Sequence, residues 1–235
     1  MVVTSMESLP TGYRGLVIGA SGGIGESLVE ALRHDTRAGE VVGLSRSVDG
    51  LELEKEWTLH AHATRLTDKS FNMIVCATGA LTIDTRGPEK TIRQIDRDAM
   101  LKQFSTNAVG PALILKHFVP LLDRKDRSLF VILSARVGSI GDNRLGGWIS
   151  YRSSKAALNQ IVKTTSIELA RTHPKCVIVA VHPGTVATAL SAPFRNGHQP
   201  FEPWEASRLI LRTVDNLSAE KSGSFIAYDG SEIVW

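Results

Sequence analysis

The stretch that decides the fold is residues 16–25, LVIGASGGIG. It begins with Leu16, Val17 and Ile18, an apolar run typical of a strand that is buried on both faces. A glycine-rich segment follows and leads into a helical pattern of apolar residues that reaches Leu32. A strand, a glycine turn and a helix in this order predict a unit of a parallel α/β sheet whose turn binds a dinucleotide.

Three glycines of this turn have separate physical tasks. Gly19 lets the chain turn tightly, Gly23 lets the backbone approach a pyrophosphate, and Gly25 lets the helix pack closely on the strand. The pyrophosphate then lies at the positive N-terminus of the helix. The alternative is a tight turn between strand and helix that holds no ligand.

The end of the second predicted strand, residues 41–44, indicates which dinucleotide is bound. An acidic residue at this position binds the ribose 2′-hydroxyl of NAD and repels a 2′-phosphate. The chain has Ser45, Arg46 and Ser47 there instead. Arg46 can pair with a phosphate dianion, and the two hydroxyls can donate to it. We therefore expect NADP(H) to be preferred and NAD(H) to be possible, unless Arg46 is an ordinary surface arginine.

Tyr151 and Lys155 are the candidate catalytic pair. They are four residues apart in a segment with helical periodicity, so both side chains lie on one helix face. A free tyrosine has a pKa of about 10, and a neighbouring ammonium group lowers it. Such a tyrosine can act as a general acid or base near neutral pH. The alternative is an ordinary solvated helix face, since this spacing also occurs by chance.

The remaining strands are predicted from apolar runs at residues 73–76, 129–133, 177–181 and 224–228. A further short strand is possible at 59–64. Only a few residues separate it from the next strand, which is too few for a crossover helix, so we expect an irregular sheet on that side. The fold class is α/β, a doubly wound parallel sheet with helices on both faces.

A long helix is predicted after the loop at residues 82–97, with Asp98 as its N-cap. Asn107 and Pro111 lie inside it. Asparagine is a poor residue for the middle of a helix, and proline disturbs the hydrogen bonds one turn earlier. This place can therefore hold a water molecule or redirect a carbonyl group.

Polar residues follow two other strands at the edge where ligands bind in such sheets. Ser134 and Ser139 come after residues 129–133 and are candidates to hydrogen-bond a substrate oxygen. Thr185 and Thr188 come after residues 177–181 and offer hydroxyls to a cofactor. The segment 189–203 should shape the substrate pocket. His182 could be a base, but a structural role fits better, and Cys76 reads as a small buried hydrophobe.

The composition excludes several other classes of protein. The 235 residues, 43% of them hydrophobic, suit one domain over 1–235. A net charge of +3 without a basic run gives no reason to expect nucleic acid. Two cysteines without a CxxC motif suggest neither a disulfide nor a metal site. No signal peptide or membrane span is visible, so we expect a cytoplasmic protein with no membrane partner.

Together these motifs resemble the short-chain dehydrogenase/reductase family over nearly the whole chain. The resemblance rests on the glycine turn, Asn107, the serine-bearing strand, the Tyr151–Lys155 pair and the segment Pro183-Gly184-x-Val-x-Thr188. The segments 134–140, 143–148 and 228–235 resemble the C-factor-like branch of that family.

The resemblance implies a Rossmann-type fold and hydride transfer between nicotinamide and a small or medium carbonyl or alcohol. It also implies a homodimer or homotetramer packed through the Asn107 and Tyr151 helices. The implied catalytic residues are Tyr151 as acid/base, Lys155 on the nicotinamide ribose, Asn107 on a water, and a serine that orients the carbonyl. The implied cofactor contacts are Gly19, Ser21, Gly23, Ile24 and Gly25 at the pyrophosphate, Gly79 under the adenosine, and Pro183, Gly184, Val186 and Thr188 near the nicotinamide.

The chain departs from the family pattern in three places. The second of two serines, usually catalytic, is Ala135, which leaves Ser134 and Ser139 as rivals. The usual Asn-Asn-Ala-Gly is residues 76–79, Cys-Ala-Thr-Gly. The acid that usually holds the adenine corresponds to Arg65 or its neighbour. The alternative function is therefore a nucleotide-binding regulatory or scaffold protein with weak or no turnover.

Overall fold

The computed structural model describes residues 5–194 and 199–235. Its centre is a six-stranded sheet with the order β2-β1-β3-β4-β5-β6, in which all neighbouring strands are parallel. The predicted parallel sheet is confirmed. The strands are β1 Tyr13–Ile18, β2 Ala38–Leu44, β3 Met73–Cys76, β4 Ser128–Leu133, β5 Cys176–His182 and β6 Phe225–Ala227.

Helices cover both faces of this sheet, as the sequence predicts. Residues of α1 and α7 belong to one apolar cluster, and residues of α3, α5 and α6 belong to another. The helices are α1 Gly23–Arg33, α2 Arg46–Asp49, α3 Glu56–Arg65, α4 Arg97–Phe104, α5 Gly110–Phe118, α6 Ile149–Thr172 and α7 Pro203–Asp215.

Strand β3 shows why its sequence is apolar throughout. Ile74 and Cys76 pack into the cluster with α3, α5 and α6, whereas Met73 and Val75 pack into the cluster with α1 and α7. Successive side chains of a strand point to opposite faces, and both faces are covered. All four residues of β3 are therefore buried.

The possible strand at residues 59–64 is wrong, because these residues lie within α3. Leu59 and Ala63, four residues apart, are buried, and the residues between them are mostly exposed or half-buried. This is the pattern of a helix that covers the sheet. Helix α3 carries the chain from β2 across β1 to β3, so the crossover is a full helical one.

The long helix is interrupted where the sequence predicts a disturbance. Residues Ser105–Val109 form a π-helical turn between α4 and α5. Pro111 has no N–H to give to the carbonyl of Asn107, four residues earlier, so the ladder is broken there. The N-cap prediction is wrong by two residues. Asp96, not Asp98, accepts the Ala99 N–H through its side chain at 2.9 Å.

The strand order places a crevice at the carboxyl ends of β1 and β3. From β1 the chain goes to β2 on one side, and it then returns to β3 on the other side. The connections that leave β1 and β3 therefore diverge, which is where open α/β sheets bind ligands. Gly19 follows β1 and Ala77 follows β3, so the predicted glycine turn opens into this crevice.

Candidate active site

A cavity of about 650 Å³ lies at the carboxyl ends of β1, β2 and β3. The glycine turn contributes Gly19 and Ser21, the end of β2 contributes Ser45 and Arg46, and the end of β3 contributes residues 77–80. The predicted nucleotide residues from three separate strands thus meet in one space. Its size falls in the range of small-molecule and cofactor sites.

The glycine turn has no room for side chains at two of its predicted positions. A Cβ on Gly25 would stand 2.1 Å from the Gly19 carbonyl oxygen, and one on Gly23 would stand 2.8 Å from the Thr188 methyl carbon. Ile24 points into the apolar cluster of α1 and α7 rather than lining the cavity. The glycine turn therefore packs against Thr188 in the segment after β5, so two predicted cofactor motifs are in contact.

Ser45 and Arg46 differ in how free they are to bind a ligand. The Ser45 hydroxyl caps α2 by accepting the Val48 N–H at 3.2 Å, and it donates to Asp49 at 3.3 Å. Arg46 is exposed and lines the cavity, and no ion pair within residues 5–194 and 199–235 involves it. The guanidinium remains available for an anion.

Another part of the cavity wall carries two acidic side chains. Residues 51–54 line the cavity and include the acids Glu52 and Glu54. Arg65 ends α3 and does not line it. The position of an adenine-binding acid stays a prediction, and the residues that line the cavity favour 51–54 over Arg65. Once 59–64 is read as a helix, these residues become the connection that leaves β2, which is the signal that could have found them.

Tyr151 and Lys155 lie in the first turns of α6 and are both buried, with 8% and 3% of their surfaces exposed. Burial lowers the pKa of Lys155 to about 8 and raises the pKa of Tyr151 to about 12. The expected lowering of the tyrosine pKa is therefore reversed in the protein chain alone. Desolvation opposes both charged forms, and Lys155 donates at 3.1 Å to the Leu133 carbonyl rather than to the phenol.

Asn107 lies in the π-helical turn and is hydrogen-bonded to the loop after β3 and to α6. Its Oδ1 accepts the Ala80 N–H at 2.8 Å, and its Nδ2 donates to the Ala80 carbonyl at 2.8 Å and to the Ser154 hydroxyl at 3.2 Å. Ser154 lies next to Lys155 on α6. A Cβ on Gly79 would lie 3.3 Å from Asn107 Oδ1 and 3.4 Å from Lys155 Nζ. The loop after β3 is thereby held between the cavity and the catalytic pair.

Comparisons with known proteins agree with this geometry. The family model described as short chain dehydrogenase matches residues 15–199. The chain belongs to the short-chain dehydrogenase family. Its relatives include 1-hydroxy-2-glutathionyl-2-methyl-3-butene dehydrogenase of Rhodococcus sp. (strain AD45), which is 31% identical over 94% of this chain and 98% of that protein. The C-signal protein of Myxococcus xanthus is 34% identical over 60% of this chain and 81% of its own length.

A solved structure shows the same fold. The carbonyl reductase Sniffer of D. melanogaster superposes with a TM-score of 0.81 at 21% identity, over 96% of this chain and all of that one. The resemblance to the short-chain dehydrogenase family, including its C-factor-like branch, is confirmed. The protein is therefore an oxidoreductase of a family that uses a nicotinamide cofactor and transfers hydride.

In this short-chain dehydrogenase, both serine candidates are held by the protein itself. The Ser134 hydroxyl donates to Asn159 at 2.7 Å, as its buried position after a strand allows. The Ser139 hydroxyl donates to the Val234 carbonyl and accepts the Asp142 N–H at 3.0 Å. Ala135, half-buried between them, offers no hydroxyl.

The segment after β5 lines part of a second cavity of about 320 Å³. Gly184, which has a positive φ of 81°, lines it together with Thr185, whereas Val186 is buried against the core. His182 lines the same cavity, and burial lowers its pKa to about 4, so the imidazole is neutral at pH 7. Pro183 joins this histidine to Gly184. Part of the predicted substrate loop, residues 195–198, lies outside the described residues.

Sequence reasoning missed Glu89 and Trp148. Glu89 comes from the loop at residues 82–97 and reaches the N-terminus of α6, where it accepts the Ser150 N–H at 3.2 Å. Trp148 lies directly before α6, three residues ahead of Tyr151, and its left-handed backbone takes it outside the helix, so helical spacing alone does not predict their ring contact. Cys76 is buried as predicted, with 1% of its surface exposed.

No helix in the described part of the chain is long and apolar enough to span a membrane. Within the same residues, no group of three His, Cys, Asp or Glu side chains comes together as a metal site.

Proposed function

We propose that the protein is an NADP(H)-dependent carbonyl reductase or alcohol dehydrogenase that uses Tyr151 as acid and base. The observation that carries this proposal is the buried Tyr151–Lys155 pair on one face of α6, tied through Ser154 and Asn107 to the loop that lines the nucleotide cavity. An isolated helix face with the same spacing would have no such connection.

The residues of the chain fit a nicotinamide dinucleotide. The glycine turn and the N-terminus of α1 would hold the pyrophosphate, and Thr188 beside Gly23 would meet the other half. The bound nicotinamide would supply or accept the hydride. The chain itself binds the substrate, excludes water and moves the proton.

The proton transfer follows from the pKa values. At neutral pH a tyrosine with a pKa of about 12 is protonated, so it can give its proton to a carbonyl oxygen as the carbon receives hydride. Lys155, with a pKa of about 8, is mostly charged at that pH and stabilises the phenolate that remains. Oxidation of an alcohol uses the same groups in reverse.

The preference for NADP(H) rests on Arg46. It lines the cavity directly after β2, and no ion pair in the described ranges involves it. NADPH is bound in the carbonyl reductase from chicken fatty liver, which has a TM-score of 0.77 at 24% identity over 97% of this chain. The Rhodococcus relative is named for a hydroxyl substrate. An alcohol or its carbonyl product is therefore the substrate class that we propose here.

One observation favours a nucleotide-binding regulatory or scaffold protein. Ala135 replaces the usual catalytic serine, and the hydroxyls of Ser134 and Ser139 are occupied by Asn159 and Val234. Loss of a donor to a developing oxyanion costs about 10²–10³ in rate. Turnover weaker than that of the family would follow, while cofactor binding would remain.

The proposal includes self-association and a cytoplasmic location. The helices expected at the interface carry exposed apolar side chains, namely Leu101, Val109 and Ile167. Sedimentation should give a homodimer or homotetramer, and a monomer at micromolar concentration would contradict this part of the proposal.

The test is a fluorescence titration of the purified protein with NADPH and with NADH, followed by a panel of carbonyl substrates. We expect tight NADPH binding, weaker NADH binding and NADPH oxidation with some carbonyls. Binding of neither dinucleotide would reject the proposed function. Binding of NADPH without turnover on a broad panel would favour the regulatory protein instead.

A further inference from the structure

Trp148 adopts a backbone conformation that is unfavourable for its side chain. Its φ of 54° and ψ of 38° are left-handed, and it stands directly before α6. Bulky residues rarely adopt a positive φ, so this backbone conformation is strained. Gly146 and Gly147 also have positive φ values of 65°. A glycine at 148 would continue the same path without strain. The tryptophan therefore brings a backbone cost that glycine would avoid.

Glu89 holds this strained residue in place. The Glu89 carbonyl accepts the Trp148 N–H at 2.5 Å, and the Glu89 carboxylate accepts the Ser150 N–H at 3.2 Å and the Ser150 hydroxyl. A carboxylate at a helix N-terminus satisfies free N–H groups and interacts favourably with the helix dipole. Three hydrogen bonds to one distant loop residue thus fix the residues on both sides of Ile149.

The indole ring of Trp148 lies beside Tyr151, the proposed acid and base. The ring of Trp148 meets that of Tyr151 edge to face, with 6.2 Å between centroids, and meets that of Phe194 in the same manner at 5.5 Å. Phe194 comes from the predicted substrate loop. Its ring also lies against Gly87, where a Cβ would be 3.5 Å from it. A carbonyl placed at Tyr151 would have its substituent beside these two rings.

We propose that Trp148 and Phe194 form an aromatic subsite that selects carbonyl substrates with a planar aromatic substituent, and that Glu89 positions Trp148 for this task. This inference rests on the proposed function. Planar rings stack or meet edge to face with aromatic walls, whereas a puckered ring of the same size gains only apolar burial.

The test compares acetophenone with cyclohexyl methyl ketone, which have the same carbon skeleton and differ in the planarity of the ring. The ratio of their kcat/KM values is measured with NADPH for the wild type, Trp148→Ala and Trp148→Gly. We expect both variants to lower this ratio about five- to tenfold, chiefly through a higher KM for acetophenone.

The two variants also separate recognition from folding. Alanine removes the indole but keeps the left-handed strain, whereas glycine removes both, so Trp148→Gly should melt at a higher temperature than Trp148→Ala. The substrate ratio should be equally low in both. Trp57→Ala, which removes an indole that is 69% exposed on α3, is the matched control and should leave the ratio unchanged.

Glu89→Gln tests the positioning role. It keeps the size of the side chain but turns one acceptor into a donor that opposes Ser150. We expect the ketone ratio to fall about threefold, less than for loss of the ring itself. A ratio equal to that of the wild type would overturn the role of Glu89.

Different results would count against the aromatic subsite and against the proposed oxidoreductase function. Equal ratios in the wild type and Trp148→Ala, with normal NADPH oxidation, would overturn the aromatic subsite alone. If neither ketone is reduced, saturation-transfer NMR of the same two ketones decides. Stronger saturation of acetophenone that disappears in Trp148→Ala supports the subsite, and equal saturation of both ketones overturns it.

Discussion

The two ends of the site are built in opposite ways. Around the catalytic pair, Asn107, Ser154 and Lys155 are buried, and each is hydrogen-bonded to the chain itself. At the nucleotide end, Arg46 and Glu54 are exposed and line an open cavity. A buried network keeps its geometry before any ligand arrives, since breaking it would leave polar groups unpaired. Exposed charges are screened by solvent, so their electrostatic interactions become strong only when a bound ligand displaces that solvent.

The two ends differ in whether a functional side chain costs stability. The catalytic end keeps an ammonium group away from water, and burial lowers its pKa to about 8. Substitutions there should change folding as well as turnover. Substitutions at the nucleotide end should change binding and leave folding almost untouched.

The largest effect is expected for Lys155→Met, which removes the buried charge and keeps the length of the side chain. Activity should fall about 10³-fold, because both ribose binding and proton transfer lose the ammonium. The difference between a pKa of 10.5 and one of about 8 corresponds to about 3 kcal/mol. Loss of the bond to Leu133 offsets about 1–2 kcal/mol of this, so the variant should be more stable at pH 7 by about 1–2 kcal/mol.

Thermal denaturation at two pH values checks the sign. The folded pKa of Lys155 lies below its unfolded value, so wild-type stability should rise between pH 8 and 10.5, as the folded protein loses the proton first. The advantage of Lys155→Met should therefore shrink from pH 7 to pH 9.5. A variant that melts below the wild type at pH 7 would contradict the cost assigned to the buried charge.

Asn107→Ala should break the link between the two ends. It leaves the Ala80 N–H without its partner, while the Ala80 carbonyl keeps its bond from Gln103. We expect a loss of about 1–3 kcal/mol in unfolding free energy and about 10² in kcat. Chemical denaturation and steady-state kinetics measure the two. Gln160→Ala, at an exposed helix position, is the control, and an equal effect of the two substitutions would argue against the link.

Arg46→Ala should affect the nucleotide end alone. A charge-assisted pair with a phosphate is worth about 1.5–3 kcal/mol, so NADPH should bind about 10- to 100-fold more weakly. NADH lacks the 2′-phosphate and should change less than twofold. Melting temperature should stay the same, because the side chain is exposed. Equal losses for both dinucleotides, measured by titration, would remove the basis for the NADP(H) preference.

The smallest effect is a gain. Ala135→Ser restores the hydroxyl that the family uses, and kcat should rise up to about tenfold. Ser134→Ala is the comparison, because its hydroxyl already donates to Asn159 and should contribute little to turnover. A large fall in kcat for Ser134→Ala would show that Ser134 orients the carbonyl, and a fall in kcat for Ala135→Ser would contradict the role assigned to position 135.

The placement of Tyr151 and Lys155 on one helix, and the interruption around Asn107, could be predicted because both depend on short spacings. A separation of four positions fixes the shared helix face of Tyr151 and Lys155, and the same separation lets Pro111 remove the helical hydrogen bond to Asn107. The nucleotide end depends on how residues 49–70 fold. There Leu59 and Ala63 suited a strand as well as a helix, and only packing against the sheet decides between them.

The hydrogen bonds between Glu89 and Ser150 could not be predicted from the sequence. It joins residues 61 positions apart through a loop without periodicity, and no spacing rule predicts such a contact. The predicted direction of the Tyr151 pKa shift is wrong for a related reason. Its charge partner could be read from the spacing, but its degree of burial depends on the whole fold.

The most direct test of the central claim is a single-turnover experiment with NADPH that carries deuterium at the transferable C4 position. Wild type and Tyr151→Phe are each saturated with this cofactor and mixed with acetophenone or cyclohexyl methyl ketone. We expect deuterium on the carbinol carbon with the wild type and a loss of about 10²–10⁴ in rate with Tyr151→Phe, at unchanged cofactor affinity. Equal transfer by both proteins, or none by the wild type with cofactor bound, would contradict it.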